Sequence, residues 1–176
     1  MNNKLVQLLL GIILLAAGPA GAADKLTLRI NNQSIFLWRT ADLEEAKKAA
    51  AAAHKPIAWI ASATKLLDGR GTISAESARG ATLHALYAYR DQTVLVFEDA
   101  YEENHKVLPL VDDALHTPDP HYNPPKVIFL NPDATEVLAK VEYEADFVKR
   151  AQGLAAGLKQ AKAKLNPPEA KPDTQK

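Results

Sequence analysis

The sequence predicts a layered α/β domain, and three observations carry that reading. Short, continuous apolar runs at 57–61, 94–97 and 127–130 have the character of buried strands. Longer stretches with apolar residues at helical spacing lie between and after them. The resulting order is strand, helix, strand, helix, strand, helix, then a hairpin and a last helix. That order is the pattern of such a layered domain.

Each element has its own signal. Leu26, Leu28 and Ile30 alternate with Thr27 and Arg29, the period-two pattern of a half-buried strand. Asn31-Asn32-Gln33-Ser34 reads as a turn, and 35–38 is a second apolar patch. Asp42 followed by Glu45 predicts a capping-box start to a helix that ends at His54-Lys55-Pro56. Its slim alanine face suits close packing on a sheet. Asp68-Gly69-Arg70-Gly71 breaks the chain after the central strand. Ser74 then starts a helix reaching about Arg90. A helix is expected over 103–115, with Pro109 as a kink or a late start. A Pro- and His-rich loop, 116–125, precedes the strand at 127–130. Asn131-Pro132-Asp133-Ala134 turns into a return strand over 137–142. The last helix carries the stripe Phe147, Ala151, Leu154, Leu158, Ala161 and Leu165. Gly153 and Gly157 weaken that helix but permit close approach to a sheet.

Composition removes several function classes. The chain has no cysteine, and its only methionine is Met1. Disulfides, thiolate nucleophiles, thiol redox chemistry and iron–sulfur ligation are therefore excluded. Residues 1–22 have the plan of a cleaved secretory signal: Lys4 in the n-region, an apolar run over 5–17, and a helix-breaking Ala-x-Ala site. The run is short for a bilayer span, which needs about 20 apolar residues. A periplasmic or secreted bacterial protein with no stable membrane span is expected, with a domain over 23–165. From 166 to 176 the chain is rich in Pro, Lys and Asp, the composition of a disordered tail. The chain holds 21 basic and 21 acidic residues, and losing Lys4 leaves one acid in excess. No basic stripe interleaved with aromatics is present, so nucleic acid is not an expected partner.

Two segments resemble a known family. Trp38-Arg39-Thr40-Ala41-Asp42-Leu43-Glu44-Glu45-Ala46, leading to His54-Lys55-Pro56-Ile57-Ala58-Trp59, is similar to the opening of secreted thioredoxin-like proteins. Pro124-Pro125-Lys126-Val127-Ile128-Phe129-Leu130-Asn131-Pro132-Asp133 resembles a second hallmark of that superfamily, a proline before a hydrophobic strand that ends in an Asn/Asp-Pro-Asp turn. The resemblance spans about residues 38–165. It implies a thioredoxin-like three-layer sandwich with a central mixed β-sheet flanked by helices, a cis proline at Pro125 (or Pro124), and a Cys-x-x-Cys motif after the central strand. At the matching place stands Thr64-Lys65-Leu66-Leu67, so this is a cysteine-less member for which oxidoreductase activity is not implied. What the resemblance leaves is capture of an extended peptide beside the proline. The implied groove comprises Ser62, Thr64, Lys65, His121, Tyr122, Pro124 and Pro125.

One further constellation bears chemistry. Asp112, Asp113, His116, Asp119 and His121 lie within ten residues and offer imidazole and carboxylate ligands for zinc, copper or nickel. Their spacing matches no tight metal motif, and a solvated loop explains them as well. His116 also suits a helix C-terminus. There is no Gly-x-Ser-x-Gly elbow and no phosphate-cradling loop around Gly69-Arg70-Gly71. His54 reads as a helix end, and His84 and His105 as surface or core positions. Trp59 and Trp38 are expected in the core, with Tyr87, Tyr89 and Tyr101 as aromatic surface near helix ends. The sequence thus points to a non-catalytic envelope protein, without a cofactor, that binds a protein or peptide; the alternative is a metal or small-ligand binder at 112–121.

Overall fold

The computed structural model describes residues 26–30, 33–62, 76–99, 107–118 and 124–167. Six strands form one mixed sheet: β1 (Leu26–Ile30), β2 (Gln33–Arg39), β3 (Ile57–Ser62), β4 (Val94–Asp99), β5 (Lys126–Leu130) and β6 (Val137–Val141). Their spatial order is β1-β2-β4-β3-β5-β6. β2, β4 and β3 run parallel, whereas β5 is antiparallel to β3 and β6 to β5. β1 pairs antiparallel with β2 as a hairpin in register Ile30↔Gln33. The predicted turn over 31–34 is therefore shorter, because Gln33 and Ser34 already pair with β1.

Among the described residues, four helices cover the sheet: α1 (Leu43–Ala53), α2 (Glu76–Tyr89), α3 (Pro109–His116) and α4 (Phe147–Leu165). Side chains alternate across each strand, so the sheet feeds two cores. Ala58, Ile60, Leu95, Phe97, Val127 and Phe129 pack with α2 and α4 on one face. Ile57, Trp59, Val96, Ile128 and Leu130 pack with α1 and α3 on the other. Both faces of β3 are covered, which is why all six of its residues are buried and its sequence is apolar without alternation. The layered α/β sandwich expected from the sequence is what forms.

Local chemistry sets the element ends. α1 is entered through a 3-10 turn, Thr40–Asp42, and the Asp42 side chain makes no cap hydrogen bond. The expected capping box does not form, because the turn holds Asp42 at φ −101°, ψ 22° rather than in the extended geometry a cap needs. Glu44 and Glu45 bond instead to Lys47 and Lys48, one turn on. The helix ends on His54 in the left-handed conformation (φ 51°), with His54 N–H on Ala51 O and Lys55 N–H on Ala50 O, a Schellman pattern.

α3 begins at Pro109, the late start among the sequence alternatives, and Leu108 is extended at φ −64°, ψ 136°. Proline fits a first helical position but disfavours helix in the residue before it. Residues 103–106 of the longer expected helix lie outside the described residues. Asn131 organises the β5–β6 turn, its Oδ1 accepting from the backbone N–H groups of Thr135 (2.8 Å) and Glu136 (3.0 Å). In α4, Asp146 caps the start by accepting from Lys149 N–H at 2.8 Å. Gly157 lies against the sheet, where a Cβ would come 2.3 Å from Val141 Cγ2; Gly153 has ordinary room, with Val141 3.9 Å away. Trp38 and Trp59 are core residues, as expected. Tyr89 is not surface: it is fully buried, and its hydroxyl donates to Leu154 O at 2.9 Å.

Candidate functional site

The register brings one end of the sheet together. β2, β4 and β3 all finish there, and β5 starts there, since Ala61 pairs with Lys126. β6 ends there too, with Val141 opposite Val127. In open α/β sheets ligands settle outside the carboxyl ends of the parallel strands. Among the described residues, Ser62, Pro125 and the 142–144 segment lie at this end.

The sequence-predicted groove is described in part. Ser62, the last residue of β3, is fully buried, and its hydroxyl lies 2.9 Å from that of Thr82 on α2. Its side chain therefore serves the sheet–helix contact and is not presented to a partner. Pro124 is half-buried and Pro125 buried, and the bond between them is cis, as expected for Pro125. Thr64, Lys65, His121 and Tyr122 lie outside the described residues.

Of the Asp/His cluster, Asp112, Asp113 and His116 are on α3, while Asp119 and His121 lie outside the described residues. His116 Nδ1 is 2.8 Å from Asp112 O and 3.3 Å from Asp112 Oδ1, one helical turn away. This is the helix C-terminal arrangement anticipated for that histidine. Among the described residues no group of three or more His, Asp or Glu side chains is placed to hold a metal.

Two buried ionisable residues at this end escaped sequence reasoning. Glu98 and Lys126 both pair with Ala61, one from each side, and so lie on the same face of the sheet. Glu98 accepts the Trp59 indole N–H at 2.6 Å. Lys126 donates to Leu115 O at 2.7 Å and meets Glu142 at 3.2 Å. Glu142 also pairs with Lys140 at 2.7 Å, and Lys140 donates to Ala114 O and Thr117 O. Two cations thus hold the carbonyls at the end of α3, where the helix dipole is negative.

Exposed apolar side chains follow β6, and one of them, Tyr143, lines a small hollow with Pro125. Four large hydrophobic side chains are exposed among the described residues, and three of them, Tyr143, Phe147 and Val148, follow β6 closely at this end. Phe147 stacks on the His84 ring at a centroid distance of 4.7 Å. Arg150 braces the pair, donating from Nε to His84 Nδ1 (3.2 Å) and from Nη1 to Glu144 O (2.8 Å) and Ala145 O (3.2 Å). His84 accepts at Nδ1, so its own proton sits on Nε2. Burial first, and the Arg150 charge second, hold its pKa below the ordinary value. The cavity shared by Pro125, Tyr143 and Arg150 is only about 10 Å³, room for one water at most. That hollow, as the described residues line it, is too small for an organic ligand.

Phe147 was read from its spacing as part of the buried stripe, yet it is 64% exposed; burial in α4 begins at Leu154. Compared with known proteins, the chain matches no family model and no curated protein.

Proposed function

We propose that this chain is a non-catalytic, thioredoxin-like domain of the bacterial envelope that binds a protein or extended peptide at the end of the sheet marked by Pro125. The exposed Tyr143, which shares a small hollow with Pro125, and the exposed Phe147 and Val148 at the start of α4 carry the reading. Large apolar side chains left exposed at one end of a domain mark an interaction site. Here it rests on a helix start pinned by Asp146 and Arg150, so little order need be gained on binding.

The strand order β2-β4-β3-β5-β6, with the last two strands antiparallel, supports the thioredoxin-like part of the proposal, as does the proline that opens β5 beside the central strand. The absence of cysteine from the sequence leaves no thiol for the redox reaction of such a fold. An extended peptide suits this end because main-chain pairing needs a strand edge, and β6 is the last strand in the order.

Selection from a displayed peptide library, followed by amide chemical-shift mapping of the bound domain, tests this. The proposal expects apolar peptides that shift the signals of Ser62, Lys126, Tyr143 and Phe147. Peptides that shift only residues of α1 or the β1–β2 hairpin would move the site elsewhere.

A further inference from the structure

A second site, away from Pro125, is built between α2 and α4. The two helices meet there through Ala88 on one side and Ala151 and Ala155 on the other, and small side chains leave the gap between them unfilled. The result is a groove of about 440 Å³, within the size range of small-molecule sites. Its floor is apolar: Leu154 and Leu158 are buried in the sheet-facing core, and Tyr89 closes the base with its hydroxyl already bonded to Leu154 O. The α4 positions that line it run from 151 to 162, about 16 Å along the helix. That length suits an extended chain better than a compact ring.

The groove is also charged at one end. Lys159 and Lys162 stand at its rim, and no carboxylate lines it. Lys162 is held across the end by donating to Gln92 Oε1 at 2.7 Å, a neutral partner that leaves its charge uncompensated. Among the described residues neither lysine makes an ion pair. Asp91, in the adjoining hollow, is engaged by Arg90 at 3.1 Å. His84, at the other end, is held toward its neutral form.

An apolar trough with a cationic end complements an amphiphile with an anionic head. The geometry points to a binding site for a free alkyl carboxylate, its chain laid between α2 and α4 and its head between Lys159 and Lys162. The groove meets the peptide surface at His84 and Leu154 but shares neither Pro125 nor Tyr143 with it.

The test is calorimetric titration of the full mature chain with dodecanoate and, separately, with dodecyltrimethylammonium, both kept below their micelle concentrations. The proposal expects saturable one-to-one binding of dodecanoate and binding of the cationic analogue weaker by about tenfold or more. Reversing both rim charges (Lys159→Glu with Lys162→Glu) should weaken dodecanoate by about tenfold or more and bring the two headgroups level or invert them. Both lysines are exposed, so this variant keeps the fold. Ala155→Trp fills the trough from an exposed position and should abolish binding of either ligand, with an unchanged circular dichroism spectrum. Absence of saturable binding to the native chain, equal affinity for the two headgroups, or dodecanoate binding that survives the double charge reversal would each overturn the proposal.

Discussion

Trp59 on β3 and Glu98 on β4 are joined by an indole N–H···carboxylate hydrogen bond of 2.6 Å, with both side chains buried on the α1–α3 face. A hydrogen bond to a charged group contributes more than a neutral one, and its loss leaves the buried donor unsatisfied. Glu98→Leu should therefore cost about 2–3 kcal/mol in urea unfolding. Glu98→Gln keeps an acceptor oxygen and should cost less than half as much. Equal losses in the two variants would show that the carboxylate serves chiefly some other partner.

Lys126 is the largest departure from the surface position its residue type suggests. Its ammonium satisfies Leu115 O at the end of α3 and offsets Glu142. Glu142 is half-exposed and also has Lys140, so removing Lys126 chiefly leaves the Leu115 carbonyl without its buried donor. Lys126→Ala should destabilise the domain by about 2–3 kcal/mol, through the lost packing of its stem and the orphaned carbonyl. Lys126→Met retains the stem and should recover a large part of that loss. Thermal melts of the two variants separate the packing contribution from the charge.

The two glycines of α4 should respond in opposite directions. At Gly157 a Cβ would meet Val141 Cγ2 at 2.3 Å and Phe129 Cε2 at 3.3 Å, so Gly157→Ala forces α4 off the sheet and should cost about 1–3 kcal/mol. Gly157→Ala combined with Val141→Ala should lose less than the sum of the single changes, because the second opens the space the first requires. At Gly153 the nearest atom is 3.9 Å away, so Gly153→Ala should gain up to about 1 kcal/mol from helix propensity. Chemical denaturation of the four variants checks the set.

His84 links stability to pH. Its folded-state pKa lies below the ordinary value of about 6.5, so the unfolded chain binds the proton more readily. Stability is fully present above the unfolded pKa and declines as pH falls from about 6.5 toward the lower folded value. Protonation also removes the Nδ1 acceptor that Arg150 uses. The native protein should lose stability between neutral and mildly acidic pH, and His84→Gln should flatten that part of the curve. An identical slope in both proteins would place the titration on other groups.

The strands were legible because a sheet covered on both faces leaves a simple trace, continuous apolar runs at 57–61, 94–97 and 127–130. The resemblance around Pro124 and Pro125 located the proline that opens β5. Other features depend on contacts distant in sequence. Val107 and Leu108 carry helical spacing with the α3 residues, yet Pro109 keeps Leu108 extended. Tyr89 resembles a surface tyrosine until its hydroxyl reaches Leu154 O, 65 residues on. A lysine opening a strand gives no sign that a helix end will come to meet it, so Lys126 was invisible. Phe147 fits the stripe of α4 by spacing but stacks on His84 at the surface, before the helix begins to bury its apolar side. The patch beside Pro125 was therefore not legible, although the end of the sheet on which it lies was.

The central claim is that partner binding occurs at the Pro125 end of the sheet, and site-specific photo-cross-linking tests it most directly. A benzophenone side chain would be placed at Tyr143 in one protein and at Phe36, the exposed hydrophobic on the β1–β2 hairpin, in another. The expected result is one discrete adduct from position 143 in cells, lost when Phe147→Asp and Val148→Asp are added, with none from position 36. An adduct from position 36 and none from 143, or one from 143 that survives both aspartates, would contradict it.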